Sequence, residues 1–304
     1  MQKEHSLLAS PVLLPEGICL IRNQHGRAFL QIEHPAVSAR IALEGAHITH
    51  CQPAGQGPLL WMSPDEPELP GKALRGGIPI CWPWFGSKDT RPVHGIARTS
   101  LWELTAVTSE GAQVSVFMSL TALVLEQALP GEKWQLDVEF VMGTDLLVTL
   151  ITRNIGTRPQ ALSQALHSYL PVSNIDETVI KGLENCSYFD QLTGRQQRQH
   201  GPLRFTMETD RIYFNHPGKV SLLDGTEAAL ILRREGSESL VVWNPWIEKS
   251  RTLGHFPADG YQTMLCLESA NAGPDARVLD PGETHRLSSR ITRVNSLKLN
   301  SAEA

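Results

Sequence analysis

Short runs in which apolar and polar residues alternate are the dominant pattern of this chain. Successive side chains of a strand point to opposite faces, so the apolar residues of a half-buried strand recur at every second position. Turn pairs such as Pro130-Gly131 separate the runs, which cover residues 18–21, 28–33, 39–43, 112–120, 134–143, 145–154, 161–170 and 240–244. Few windows keep a helical period over three turns, which disfavours a doubly wound α/β sheet. The sequence predicts an all-β fold, a large antiparallel β-sandwich.

The composition is that of an ordinary globular protein. With 304 residues, 41% hydrophobic and 19% charged, the chain is long enough for one large core, and a single β-sandwich domain spanning 1–304 is expected. We expect the polar tail from about residue 295 to be mobile. The net charge of −5 gives no broad basic face, so neither nucleic acid nor an anionic membrane is an expected partner.

The five cysteines are scattered, odd in number and without C-x-x-C spacing. This pattern predicts reduced thiols rather than a disulfide framework or a zinc site. The first 17 residues, broken by Pro11 and Pro15, do not have the order of a signal peptide, and no apolar stretch approaches the length of a membrane span. We therefore expect a cytoplasmic monomer.

The run MLCLES, residues 264–269, places a glutamate at the end of an apolar strand. Met264, Cys266 and Glu268 share one face of such a strand. A buried carboxylate costs several kcal/mol unless it is paired or protonated. Glu268 therefore indicates an internal cleft, unless the strand assignment itself fails.

The segment RGGIPICWPWFG, residues 75–86, combines Arg75 with two glycines, two prolines and the aromatic residues Trp82, Trp84 and Phe85. Aromatic faces pack against the C–H faces of sugars, and arginine matches phosphate oxygens. The segment is therefore either a ligand wall or a tryptophan-rich loop packed on the core. The same alternatives apply to His94 and Arg98 in VHGIARTSLWEL, which follows it.

Two further segments carry candidate side chains. In ALHSYLPV, residues 165–172, His167 is either a buried structural histidine or a general acid, because its unperturbed pKa of about 6.5 lies near neutrality. In METDRIYFN, Asp210 is either part of a charged strand entry or an acceptor for sugar hydroxyls. The histidines of HITH, residues 47–50, diverge on a strand, which disfavours a metal site.

Five ordered segments resemble one family. RGGIPICWPWFG, HGIARTSLWEL, LHSYLPV, ETDRIYFN and the stretch from WNPWIEKS to DGYQTMLCLESAN are similar to the hexose-6-phosphate mutarotases, or glucose-6-phosphate 1-epimerases, of the aldose 1-epimerase superfamily. The resemblance spans about residues 75–271 and implies a galactose-mutarotase-like β-sandwich. It also implies an isomerase that interconverts sugar anomers by acid/base ring opening, with a small sugar phosphate as substrate and without a metal or nucleotide cofactor.

The resemblance also implies roles for individual residues. The family's general acid falls on His167 and its general base on Glu268. The phosphate and sugar contacts fall on Arg75 and Arg98, and a hydroxyl contact falls on Asp210. His94 belongs to one of the matching motifs, with its role left open. Relatives often carry a glutamine where this chain has Val93, which leaves the identity of the hexose open.

Two other functions fit some of these residues. A glycoside hydrolase would use Asp210 and Glu268 as its carboxylate pair, about 5–5.5 Å apart if retaining or 6.5–9.5 Å apart if inverting. It would not need His167 as an acid. A non-catalytic carbohydrate-binding sandwich would account for the tryptophans but not for a histidine and a glutamate in one cleft.

Overall fold

The structure is a computed structural model that describes residues 12–295 except 217, 226 and 227. The tail predicted from about residue 295 begins where the described residues end. All strand pairs are antiparallel, and each of the eight predicted runs overlaps one or more strands. The all-β fold class is confirmed.

Most of the described chain is strand. In chain order the strands are β1 (Ile18–Arg22), β2 (Ala28–His34), β3 (Val37–Ala42), β4 (His47–Pro53), β5 (Ile80–Cys81), β6 (Glu103–Glu110), β7 (Gln113–Leu120), β8 (Trp134–Met142), β9 (Leu146–Asn154), β10 (Gln160–Leu162), β11 (Gln164–Leu166), β12 (Tyr169–Pro171), β13 (Val179–Lys181), β14 (Ser187–Asp190), β15 (Arg195–Arg198), β16 (Leu203–Arg204), β17 (Thr209–Tyr213), β18 (Lys219–Leu223), β19 (Ala228–Glu235), β20 (Ser239–Asn244), β21 (Met264–Asn271), β22 (Arg277–Leu279) and β23 (Thr284–Asn295). The α-helices are α1 (Ala122–Ala128) and α2 (Trp246–Thr252). Neither helix is long and apolar enough to cross a membrane, and the same holds for every other helix in the described part of the chain.

Two large sheets form the body of the fold. The nine-stranded sheet has the order β16-β13-β18-β19-β23-β9-β8-β7-β6. The eight-stranded sheet has the order β15-β14-β17-β20-β21-β11-β5, with β12 also paired to β21. A four-stranded sheet, β1 to β4, and the pair β10-β22 complete the described strands.

Strand β21 lies inside the eight-stranded sheet and is buried along its whole length. Leu265 and Leu267 belong to the main apolar core together with Leu150 of β9 and Leu287 of β23, which are in the nine-stranded sheet. Met264 and Cys266, which alternate with them, belong to a separate apolar cluster on the other face. Since strand side chains alternate, the core packs against one face of β21 and leaves the Glu268 face free to line a site.

Buried polar side chains link the two large sheets. The Trp82 indole N–H donates to Thr152 Oγ1 at 3.1 Å, and Thr152 Oγ1 donates to Gln164 Oε1 at 3.2 Å. Gln164 Nε2 then donates to Asn271 Oδ1 at 3.0 Å. Because Thr152 belongs to β9 while Gln164 and Asn271 belong to β11 and β21, this network fixes one sheet relative to the other.

Candidate active site

The register of the eight-stranded sheet places His167 beside Glu268. On β21, Ser269 pairs with Leu166 of β11 and Cys266 pairs with Tyr169 of β12. Both pairs follow the same register, and the Leu267 N–H donates to the Ser168 carbonyl at 3.1 Å between them. His167 itself belongs to neither β11 nor β12, yet both strands keep the same register with β21 on either side of it. His167 consequently lies directly across from Glu268, in the position of a cross-strand neighbour.

The two side chains are in contact. His167 Nε2 lies 3.3 Å from Glu268 Oε1, with side-chain exposures of 12% and 2%. Glu268 Oε2 and His167 Nδ1 are buried without a hydrogen-bond partner among the described residues. Buried polar atoms in folded proteins nearly always have partners. These two therefore mark a place where a ligand or a moving proton is expected.

A cleft of about 190 Å³ opens over this pair. Its lining residues come from several strands and loops, and they are Arg75, Phe85, His94, His167, Tyr169, Gln191, Asp210, Val241, Trp243 and Glu268. The register explains part of this set, because Glu268 pairs with Val241 and Trp243 pairs with Asp210. These four side chains share the face of the sheet turned away from the main core.

Aromatic rings hold the His167 imidazole in place. The ring stacks on Tyr169 with centroids 4.9 Å apart and planes at 14°. Trp243 meets both rings edge-on at 6.2 Å. Because the ring is packed on two sides, its Nε2 atom stays directed at Glu268.

His94 enters the cleft as a neutral ring with a defined tautomer. Its Nδ1 accepts a hydrogen bond from the Gly86 backbone N–H at 3.2 Å, so the ring proton is on Nε2. Burial lowers the pKa of His94 to about 4, and the charges of Arg98 and Arg75 act in the same direction. The ring packs on Phe85 at 5.0 Å and meets His167 edge-on at 5.9 Å. His94 therefore offers the cleft an N–H donor.

The two predicted arginines have different positions. Arg75 lines the cleft, and its guanidinium lies beside the Tyr169 hydroxyl and acts on the pKa of that group. Arg98 stands outside the described lining residues, and its Nη2 donates to the Val93 carbonyl at 2.7 Å. Its charge still reaches the site, since it opposes the upward shift of the Glu268 pKa. Arg75 is thus the better placed of the two for a ligand.

Asp210 lines the cleft together with Gln191, which the sequence analysis did not predict as a site residue. Gln191 Nε2 donates to Asp210 Oδ1 at 2.5 Å. Burial raises the pKa of Asp210, while the Gln191 hydrogen bond opposes that shift. Gln191 follows β14 in the polar stretch QLTGRQQRQ, where nothing distinguishes it from the exposed glutamines nearby.

Burial drives the His167–Glu268 pair towards its uncharged form. The pKa of Glu268 is raised well above its ordinary value, first by burial and then by the nearby Asp210 charge. The pKa of His167 is lowered well below its ordinary value, first by burial and then by repulsion from His94 and Arg98. Burial therefore favours the protonated carboxyl group of Glu268 and the neutral imidazole of His167. This state differs from the charged acid and base that the family roles require.

The aromatic residues of segment 75–86 separate into two groups. Phe85 lines the cleft. Trp82 is fully buried in the core and Trp84 is 3% exposed, and the Trp84 indole N–H donates to the Pro92 carbonyl at 2.8 Å. The two tryptophans therefore stabilise the loop, while Phe85 serves the ligand wall that the segment suggested. Trp243 supplies the remaining large aromatic surface of the cleft.

The HITH histidines have structural contacts. His47 Nε2 hydrogen bonds with the Gly76 carbonyl at 2.7 Å, and His50 Nε2 hydrogen bonds with Ser38 Oγ at 3.2 Å. Because His47 and His50 are three residues apart on β4, their side chains point to opposite faces. The two rings do not form a common metal site.

A larger surface cleft of about 380 Å³ lies elsewhere, between Lys88, Lys133 and Arg158. Most of its lining residues are exposed loop residues, and Lys133 is already paired with Glu126 at 2.5 Å. It contains no imidazole and no contact between two titratable groups of its own lining. The smaller cleft therefore carries the chemistry, despite its lesser volume.

Comparison with known proteins finds one matching family. The family described as aldose 1-epimerase matches residues 29–292. A protein of Escherichia coli K12 with the provisional name glucose-6-phosphate 1-epimerase is 30% identical over 260 residues, which cover 84% of this chain and 86% of that protein.

Solved structures agree as well. A crystal structure from Salmonella typhimurium, provisionally titled a mutarotase, superposes with a TM-score of 0.85 at 27% identity and covers 95% of this chain and 97% of its own. A galactose mutarotase-like protein from Lactobacillus casei gives a TM-score of 0.66 at 15% identity, covering 88% of this chain and 100% of its own. The second likeness shows the fold alone.

Proposed function

Because this chain belongs to the aldose 1-epimerase family, we propose that it is a hexose-6-phosphate mutarotase that interconverts the α and β anomers of glucose 6-phosphate and related aldohexose 6-phosphates. The observation that carries the proposal is the 3.3 Å contact between His167 Nε2 and Glu268 Oε1 at the base of a cleft. One acid and one base within reach of the same sugar carbon are what anomer exchange requires.

The reaction is a pair of proton transfers. Glu268 removes the proton of the C1 hydroxyl while His167 delivers a proton to the ring oxygen, so the C1–O5 bond breaks and a free aldehyde forms. Rotation about C1–C2 presents the other face of the carbonyl. The two side chains then exchange roles and close the ring as the other anomer. General acid/base assistance of this kind typically contributes about 10²–10⁴-fold.

The uncharged pair that burial favours already holds the proton that this mechanism needs. A protonated Glu268 with a neutral His167 contains as many protons as a Glu268 carboxylate with a His167 imidazolium. One proton moving across the 3.3 Å contact converts the first form into the second. The raised pKa of Glu268 and the lowered pKa of His167 are therefore compatible with the proposed roles once that proton has moved.

Arg75 is the best-placed group for the substrate phosphate. It is the arginine that lines the cleft, and a guanidinium forms paired hydrogen bonds with phosphate oxygens. Arg98 reaches the same anion if its Nη2 releases the Val93 carbonyl. Asp210 and the His94 Nε2–H are suited to accept from and donate to sugar hydroxyls.

Exchange NMR on glucose 6-phosphate tests the catalytic pair. We expect Glu268→Gln and His167→Asn each to lower the enzyme-catalysed exchange rate by at least about 100-fold, because each removes one proton-transfer group. Glu110→Gln, on an exposed residue of β6, is the matched control and should exchange anomers at the wild-type rate.

Near-normal exchange in either folded site variant would contradict the assignment. Retention of a hydrolytic activity by His167→Asn but not by Glu268→Gln would instead favour a glycoside hydrolase. Saturable sugar binding without faster exchange in the wild-type protein would favour a carbohydrate-binding module.

A further inference from the structure

A third potential metal ligand lies beside the His167–Glu268 pair. A ring nitrogen of His167, the Cys266 sulfur and a carboxylate oxygen of Glu268 all lie within 4.8 Å of one another. Cys266 precedes Glu268 by two residues on β21, so both side chains point to the same face. Cys266 is fully buried and stands outside the described residues that line the cleft. Neither the acid/base mechanism nor the cleft uses its sulfur.

We propose that His167, Cys266 and Glu268 form a binding site for one Zn²⁺ ion, which inhibits the enzyme by occupying its acid and base. The proposal that zinc binds rests on the three ligand residues alone. Its inhibitory consequence rests on the proposed mutarotase function.

The geometry is close to that of a tetrahedral zinc site. With metal–ligand bonds of about 2.0–2.1 Å, nitrogen and oxygen ligands of a tetrahedral ion lie about 3.3–3.4 Å apart. His167 Nε2 and Glu268 Oε1 are already 3.3 Å apart. A zinc–sulfur bond is about 2.3 Å, which places the sulfur about 3.5 Å from each of the other ligands. The Cys266 sulfur therefore has to approach by no more than about 1.3 Å, within the reach of a side-chain adjustment.

The ligand set favours zinc over the abundant hard cations. Thiolate and imidazole are preferred by Zn²⁺, whereas Mg²⁺ prefers oxygen ligands and retains its water. Burial raises the pKa of both Cys266 and Glu268, so zinc has to displace a proton from each. The resulting thiolate and carboxylate then balance the charge of a divalent ion. Glu268 Oε2, which has no partner among the described residues, offers a further lone pair. A water molecule or a sugar oxygen from the cleft would complete a tetrahedral set.

Two features limit the affinity. Arg98 and Arg75 place positive charge near His167, and this charge repels a metal cation. His167 Nδ1 also has no hydrogen-bond partner in the described part of the chain, and loss of such a supporting bond typically costs about 10–100-fold in metal affinity. We therefore expect reversible binding that a chelator removes, weaker than at a structural zinc site.

Titration calorimetry with zinc chloride on the metal-free wild-type protein tests binding without reference to catalysis. We expect one ion per chain, and at least a tenfold weaker affinity in Cys266→Ser, whose hydroxyl is a poor zinc ligand. Cys81→Ser is the matched control. Cys81 is also fully buried and lies close enough to Cys266 to act on its pKa, but it is outside the triad and should leave the affinity unchanged. Equal affinities in the wild type and a folded Cys266→Ser would overturn the proposal.

Anomalous scattering at the zinc edge from soaked wild-type crystals gives a test that needs no variant. A peak between His167, Cys266 and Glu268 supports the site, and zinc bound only elsewhere overturns it. Exchange NMR then tests the consequence. Zinc, but not magnesium, should slow anomer exchange in the wild type and in Cys81→Ser, and much less in Cys266→Ser. A metal peak at the triad in a protein without mutarotase activity would refute the proposed function and leave the zinc site standing.

Discussion

At the scale of single residues, Glu268 shows a conflict between stability and chemistry. Its side chain is 2% exposed, and burial raises its pKa well above the ordinary value. The fold thus disfavours the carboxylate that the mechanism needs. Such a conflict is common at active sites, where groups with shifted pKa values are retained for their function.

Replacement of Glu268 by glutamine should reveal this conflict as a change in stability with pH. A carboxyl group whose pKa is raised on folding holds its proton in the folded state and loses it in the unfolded state above about pH 4.3. Its contribution to stability therefore decreases as the pH rises from that value towards the raised pKa. We expect the melting temperature of Glu268→Gln, relative to wild type, to be higher at pH 8 than at pH 5. A difference that does not change with pH would contradict the raised pKa.

Arg75 gives a second prediction at this scale. A hydrogen bond to a charged group contributes about 1.5–3 kcal/mol, or roughly 10–150-fold in affinity. Arg75→Ala should therefore raise the KM for glucose 6-phosphate by about that factor and change the kinetics with free glucose little. Arg75→Lys keeps the charge but loses the paired geometry, so its effect should be intermediate. Equal losses on both sugars in Arg75→Ala would argue against a phosphate contact.

The sequence predicts the face of Glu268 but not its neighbours. The face follows from the two-residue period of β21 and needs only adjacent residues. The contact with His167 depends on the register between two strands that are about a hundred residues apart in the chain, and one sequence does not specify that register. Gln191 shows the same limit, since only the pairing of β14 with β17 brings it to Asp210.

At the scale of elements, the loop between β5 and the short helix at Ala97–Thr99 presents His94 to the cleft. Gly95, which follows His94, has φ +77°, and a Cβ atom there would lie 1.9 Å from the Trp82 carbonyl oxygen. Gly86 has a similar φ of +78°, but a Cβ atom there would meet nothing within 4 Å. The two glycines therefore share a conformation and differ in their surroundings.

Alanine substitutions at Gly86 and Gly95 distinguish the cost of a steric clash from the cost of backbone strain. Gly86→Ala should cost about 1 kcal/mol of unfolding free energy from the left-handed conformation alone. Gly95→Ala should cost clearly more and should also slow anomer exchange, because the loop must move His94 to relieve the clash. Urea unfolding and exchange NMR on both variants measure the two effects. Equal stability losses would show that the close approach to Trp82 is not maintained in solution.

The eight predicted runs and MLCLES fall on 11 of the 23 described strands. These strands are predictable because their two-residue period is local, but changes of partner are not. The predicted run 161–170 is divided among β10, β11 and β12. β10 pairs with β22, whereas β11 and β12 pair with β21. The predicted run continues through these breaks without a glycine or proline. The break that exposes His167 to the cleft is therefore invisible in the sequence pattern.

At the scale of the whole molecule, the buried network from Trp82 to Asn271 connects the two large sheets. Loss of one partner leaves a buried donor or acceptor unsatisfied, at a cost of about 1–3 kcal/mol. Gln164→Leu should lower the unfolding free energy by at least that amount, because both Thr152 and Asn271 lose a partner. Gln196→Leu, on the exposed strand β15, is the control and should change it little.

A double-mutant cycle with Thr152→Val measures whether the network acts as a unit. Side chains that share a hydrogen bond usually show a coupling of about 0.5–3 kcal/mol. We expect a coupling in that range between Thr152 and Gln164 in urea unfolding. Additive losses would mean that the hydrogen bond between Thr152 and Gln164 does not couple the two side chains.

The complete burial of β21 has a consequence for how the protein loses activity. The strand is paired on both edges and buried along its whole length, so its amide protons should be among the last to exchange with deuterium. Many proteins fail first at a loosely held site, well before the remainder unfolds. In this protein the proposed base, Glu268, lies on β21, which should be among the last segments to open. Inactivation on heating should therefore coincide with global unfolding, and the enzyme should keep its full rate until the cooperative transition begins.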